Sequence, residues 1–85
     1  MRILRADRFV EDFRDLPPRV QKQTLRKLEL LAGSLAHPSL RVKRVRSRTG
    51  IYEGSINMDY RFLFQIEADT CLPLRIGRHD ILDSG

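Results

Sequence analysis

Residues 60 to 67, YRFLFQIE, put Tyr60, Phe62, Phe64 and Ile66 at alternate positions, with Arg61, Leu63, Gln65 and Glu67 between them. A side-chain period of two belongs to a β-strand, and a strand carrying three rings and an isoleucine on one side must have that side covered. After a short connection, ADTC, the run LPLRIG at 72 to 77 repeats the period with Leu72, Leu74 and Ile76. Pairing the two apolar sets predicts that even-numbered residues face inward on both strands. Upstream, IYEGSIN at 51 to 57 is joined to YRFLFQIE by Met58 and Asp59 alone, which favours an antiparallel meander. Tyr52 and Ile56 then look inward, and Glu53 and Ser55 look outward beside Arg61.

The cover comes from the N-terminal half. DRFVEDFRDL, from Asp7 as a plausible N-cap, places Phe9, Val10, Phe13 and Leu16 on one helical stripe. Pro17 and Pro18 interrupt it, and Pro18 suits the first turn of a second helix running to about Leu35. Val20, Leu25, Leu28, Leu31, Ala32 and Leu35 form the apolar face of that helix, while Gln21, Lys22, Arg26, Lys27 and Glu29 stay in water. RILR at 2 to 5 reads as a short edge strand. The expected fold is therefore α+β: an N-terminal short strand and a two-helix hairpin packed on one face of a small, mainly antiparallel sheet, with the other face open.

Eighty-five residues suit a single domain, 1 to 85, burying roughly 60 to 65% of its unfolded surface. No apolar run approaches the roughly 18 residues that cross a bilayer, so no membrane partner is expected. The start, MRILRADRFVEDF, lacks the apolar core of a signal peptide, and a cytoplasmic address is expected. One cysteine, Cys71, and two distant histidines offer no metal-ligand spacing; neither a metal nor a cofactor is expected. His37, before Pro38, reads as a turn residue, and Tyr52 and Tyr60 as core residues.

The formal net charge is +5, which points to nucleic acid or an acidic protein as partner. Five of the sixteen Lys and Arg lie in RVKRVRSR at 41 to 48, and the eleven that remain balance the eleven Asp and Glu. That run reads equally as a solvated loop or as a patch that contacts phosphates through Lys43, Arg44, Arg46 and Arg48.

If alternation persists to residue 79, then Arg61, Arg75, Gly77 and His79 share the open face, and one allowed register sets Arg61 directly opposite His79. Cleavage of RNA needs a base for the 2′-hydroxyl proton, cations for the charged phosphorus, and an acid for the leaving 5′-oxygen. His79 and Glu53 can fill the acid and base roles, and Arg61 with Arg78 or Arg75 can supply charge. A plainer reading of the same residues has Arg61 pairing with Glu53 across the strands and His79 as a structural hydrogen-bonder.

The segments DLPPRVQKQTLRKLELL, HPSLRVKRV, GIYEGSINMDYRFLFQIEADT and LRIGRHDIL, in that order, resemble the RelE/ParE toxin superfamily of toxin–antitoxin systems across almost the whole chain. The resemblance implies a small α+β toxin. RelE-like members enter the ribosome and cut mRNA, and a cognate antitoxin silences them; ParE-like members poison DNA gyrase instead. Arg61, in DYR, matches an arginine that faces the scissile phosphate, and His79 falls where members carry a catalytic arginine or histidine. Lys43 and Arg44 match a basic stretch that contacts RNA or ribosome. The chain departs from the RelE-type pattern at Glu53 and Ser55, where lysines stand, and its closing DILDSG holds no tyrosine. Cleavage would then rest on Glu53 or Asp80 as base with His79 as acid. The alternatives are a gyrase inhibitor and a catalytically decayed RNA-binding module.

Overall fold

The computed structural model describes residues 1–34 and 37–79. In chain order these form β1 (Arg2–Ile3), α1 (Asp7–Arg14), α2 (Pro18–Gly33), a 3-10 turn (Pro38–Leu40), β2 (Lys43–Arg44), β3 (Ile51–Ser55), β4 (Tyr60–Glu67) and β5 (Thr70–Arg78). The five strands make one sheet in the order β1-β5-β4-β3-β2, parallel between β1 and β5 and antiparallel elsewhere. The expected α+β architecture, helices against one face of a mainly antiparallel sheet, is the one observed.

The helices begin and end for local reasons. Ala6, not Asp7, is the N-cap of α1; Asp7 sits in the first turn, where its charge complements the exposed amides. Pro17 caps α2 and Pro18 opens it, as a residue with fixed φ and no amide hydrogen allows. Gln21 donates to the carbonyl of Phe13 at 3.0 Å, tying the second helix to the end of the first, so it is half-buried rather than in water. Along α2 the buried residues are Val20, Thr24, Leu28 and Leu31; the Thr24 hydroxyl is satisfied by the Val20 carbonyl at 2.8 Å. Leu25, expected on that face, is 46% exposed. Leu35 lies outside the described residues.

The core gathers Phe9, Leu16, Val20, Leu28, Leu31 and Leu40 over Ile56, Phe62, Phe64, Cys71 and Ile76. Tyr52 and Phe62 each stack on Phe64, with ring centroids 5.7 and 5.1 Å apart. Gly54, paired with Phe62, carries no side chain because none fits: a Cβ there would lie 2.5 Å from Phe62 Cε1. The inward parity of β3 and β4 is thus as the alternation predicts.

On β5 that parity fails. Phe64 pairs with Pro73 and Leu63 with Arg75, so Leu74 is an extra residue and the strand bulges. Proline cannot donate to a ladder and is tolerated at bulges. N-terminal to the bulge the inward residues are Cys71 and Pro73, both fully buried, and Leu72 joins Leu4, Gln65, Glu67 and Thr70 around a hollow on the other face. Past the bulge the parity reverts, and Ile76 is inward. The β4–β5 connection is also shorter than expected, only Ala68 and Asp69, with Ala68 at φ 54°.

Candidate functional site

The register sets out the face away from the helices as rows across the strands. Lys43, Glu53, Leu63 and Arg75 form one row, and Ser55, Arg61 and Gly77 form the next. Arg61 is therefore opposite Gly77, not His79: the turn of only Ala68 and Asp69 pairs Glu67 with Thr70, and the one-residue bulge then sets Arg61 against Gly77. A Cβ at Gly77 would meet nothing within 4 Å, so the space beside Arg61 on that side is open.

Arg61 is held firmly. Its Nη1 donates to the carbonyls of Asn57 and Tyr60, and its Nε lies 3.7 Å from Glu53 Oε1. Nη2 has no hydrogen-bond partner among the described residues. The turn that presents those carbonyls is built by Asn57, whose Oδ1 accepts from the backbone amides of Asp59 at 2.8 Å and Tyr60 at 3.0 Å. Its Nδ2 donates to Gln23 of α2 at 2.7 Å, and the Ser55 hydroxyl donates to its carbonyl. The turn and the arginine form one hydrogen-bonded unit.

Glu53 is 7% exposed and lies between two cations, Arg61 and Lys43, the latter 3.9 Å from its Oε2. Its Oε1 has no hydrogen-bond partner among the described residues, so ion pairing alone compensates its burial. The cross-strand pairing of Arg61 with Glu53, the plainer of the two sequence readings, is thus present.

The other candidate residues divide. Arg75 turns to the sheet margin, where Nε is 2.7 Å from Asp12 Oδ2 and Nη2 is 3.3 Å from Oδ1; the same carboxylate accepts the Ile76 amide at 3.1 Å. That hydrogen-bonded carboxylate raises the Arg75 pKa above its usual value, against a smaller opposing effect of burial. Its charge is neutralised there rather than offered to a ligand, contrary to expectation. Arg78 pairs with Tyr60 and lies over its ring at 5.7 Å, on the helix side of the sheet rather than beside Arg61. His79 follows the last strand residue, is exposed, and donates its amide to the Asp59 carbonyl. Asp80 lies outside the described residues. Arg44, Arg46 and Arg48 surround a separate hollow at the β2–β3 turn, with Val45, Thr49 and Gly50.

The sequence reading missed a hollow of about 300 Å³ bounded by Lys27, Ser39, Arg41, Ser55, Ile56, Asn57, Met58 and Arg61. It joins α2, the 3-10 turn and the β3–β4 turn, segments with no shared motif, and Asn57 before Asp59 was the only local signal. Lys27, expected in water, is half-buried and donates to the Ser39 carbonyl at 3.1 Å. Among the described residues there is no group of three or more His, Cys, Asp or Glu placed to hold a metal ion. Nor is any described helix long and apolar enough to cross a membrane.

Similar arrangements of helices and strands occur in solved structures. YafQ from E. coli strain BL21(DE3) matches with a TM-score of 0.81 at 17% identity, over 96% of this chain and 98% of that one. The RelB-RelE antitoxin-toxin complex from Methanococcus jannaschii matches at 0.79 and 20%, over 95% of each chain. A YoeB/ParE toxin from Agrobacterium tumefaciens matches at 0.79 and 9%, over 93% of this chain and 99% of that one. No family model matches the sequence, and no curated protein matches it. The fold is that of the RelE/ParE-type toxins. At these identities the likeness fixes the path of the chain and leaves the roles of its residues to their own chemistry.

Proposed function

We propose that the protein is the toxin of a toxin–antitoxin pair, a RelE-type endoribonuclease that cuts messenger RNA on the ribosome and is silenced by a cognate antitoxin. The observation that carries this reading is Arg61. It is anchored through Nη1 to the Asn57 and Tyr60 carbonyls, with Nη2 unpartnered among the described residues and the strand opposite bare at Gly77. A guanidinium held by one nitrogen and open at another is suited to a phosphate whose charge grows in the transition state.

In the proposed reaction Arg61 binds the scissile phosphate, and Lys43, Arg44, Arg46 and Arg48 hold the flanking backbone. The 2′-oxygen attacks phosphorus as its proton passes to a base; the bond to the 5′-oxygen breaks and that oxygen takes a proton from an acid, leaving a 2′,3′-cyclic phosphate. His79 serves as the acid, with Asp80 as the base. Glu53, enclosed by Arg61 and Lys43, positions the arginine instead.

The test is a brief induction in cells followed by mapping of message 5′ ends. New ends within coding regions, lost in His79→Ala together with the growth arrest, support the reading; intact message during arrest refutes it. A second reading, a gyrase-binding toxin, draws on Glu53 and Ser55 standing where RelE-type members carry lysines, with Glu53 paired to Arg61, and on the match to a YoeB/ParE toxin. It predicts intact message with DNA-damage signalling.

A further inference from the structure

The hollow beside Arg61 has walls from three separate parts of the chain. Lys27 comes from α2, Arg41 follows the 3-10 turn, and Arg61 comes from β4. Among the described residues no carboxylate lines it. The partner of Lys27 is a neutral carbonyl, that of Ser39, and neither Lys27 nor Arg41 has a carboxylate within ion-pairing distance among the described residues. Arg61 has Glu53 on its far side, but Lys27 and Arg41 bring two further cations to the same concave surface with no carboxylate among the described residues to balance them, and an anion between them would relieve their repulsion.

Arg41 also has φ 48°, in the left-handed region that a side-chain-bearing residue adopts at a cost. Its amide donates to the Pro38 carbonyl at 3.2 Å, which fixes that conformation at the mouth of the hollow. Met58, at the tip of the β3–β4 turn, is 90% exposed on the same rim. A thioether next to a cationic hollow matches the two parts of a nucleotide: the phosphate goes to the cations, and the face of the base goes to the polarizable sulfur.

We propose that Lys27 and Arg41, beside Arg61, bind the phosphodiester next to the scissile one in single-stranded RNA, with Met58 against the adjoining base. This rests on the RNA reading above and extends the RNA track from the sheet face over the β3–β4 turn to the helix side. The basic residues at 43 to 48 define the other arm of that track.

The test uses the full chain and a fluorescently labelled single-stranded RNA of about ten nucleotides, with affinity measured by anisotropy from about 50 to 200 mM salt. Neutralising one phosphate site should flatten the plot of log affinity against log salt by about 0.7. Lys27→Gln with Arg41→Gln should show that flattening and a loss of about tenfold in affinity at the lower salt. Arg41→Gly removes the cation while relieving the positive φ, so it should weaken binding with no loss in urea midpoint, which separates binding from folding. Met58→Ser should lower affinity without changing the slope.

Wild-type binding with unchanged slope and affinity in the Lys27 and Arg41 variants would overturn this proposal. It would leave the cleavage reading, judged by message ends, standing. Absence of RNA binding by the wild-type chain would overturn it as well.

Discussion

Glu53 and Arg61 offer the sharpest test of how the open face is held together. The carboxylate side chain is 9% exposed and the guanidinium 21%, with Oε1 and Nε 3.7 Å apart. At that separation and an effective dielectric near 20, the attraction is about 4 kcal/mol, set against a desolvation cost of several kcal/mol for the carboxylate. Lys43 is 64% exposed, so solvent reduces its share to well under about 1 kcal/mol. Arg61→Ala therefore leaves a buried carboxylate with one weakly coupled cation and should cost about 3 kcal/mol. Glu53→Gln removes the buried charge with nearly the same shape and leaves Arg61 on the two turn carbonyls; its stability should stay within about 1 kcal/mol of wild type. In the Glu53→Gln background, Arg61→Ala should cost only about 1 kcal/mol, giving a coupling of about 2 kcal/mol. Urea unfolding followed by circular dichroism, on all four proteins, measures the cycle. The coupling should survive in high salt because the pair is largely shielded from solvent. Equal costs of Arg61→Ala in both backgrounds would refute the reasoning. Glu53→Gln should also bind the RNA probe more tightly than wild type, since phosphate no longer competes with an internal carboxylate.

Other outcomes follow from the packing. Gly54→Ala should destabilise by about 2 kcal/mol in urea, because the new Cβ would meet Cε1 and Cζ of the fully buried Phe62 at 2.5 and 2.7 Å. Asp12→Ala removes the acceptor of both Arg75 and the Ile76 amide; with the guanidinium 37% exposed the cost should be about 1 to 2 kcal/mol, read from the thermal midpoint. Burial pushes the Cys71 thiol up from 9.0 to about 11. The protonated form is the one the fold favours, so this contribution is complete below about pH 9 and is lost as the pH rises toward 11. Cys71→Val should show a shallower fall in stability across that window than wild type.

The sequence was informative wherever one local rule acted alone. Alternation placed Phe62, Phe64, Tyr52 and Glu53 on their faces, and the Pro17–Pro18 pair divided the helices where the structure divides them. It misled on β5, because Pro73 both continues an apolar run and breaks the ladder, so one extra residue exchanged the faces of Leu72 and Cys71. The turn of only Ala68 and Asp69, shorter than expected, set Arg61 opposite Gly77 rather than His79. Arg75 found Asp12, 63 positions away, a contact that depends on how a helix lies along the sheet margin. The Lys27–Arg41–Arg61 hollow was hidden for a related reason: its parts belong to three elements and become neighbours only when all three have packed.

The treatment of the two outer strands has a consequence for self-association. β1 pairs with β5 through only Arg2 and Ile3, and farther along Ala6 donates its amide to Pro73 while Asp12 accepts that of Ile76. A second molecule therefore has little unpaired backbone on which to extend the sheet at that border. At the far border β2 is just Lys43 and Arg44, both exposed, and like charges would meet if two copies approached edge to edge. The same short, cationic margin also works against fibril-like stacking at high concentration.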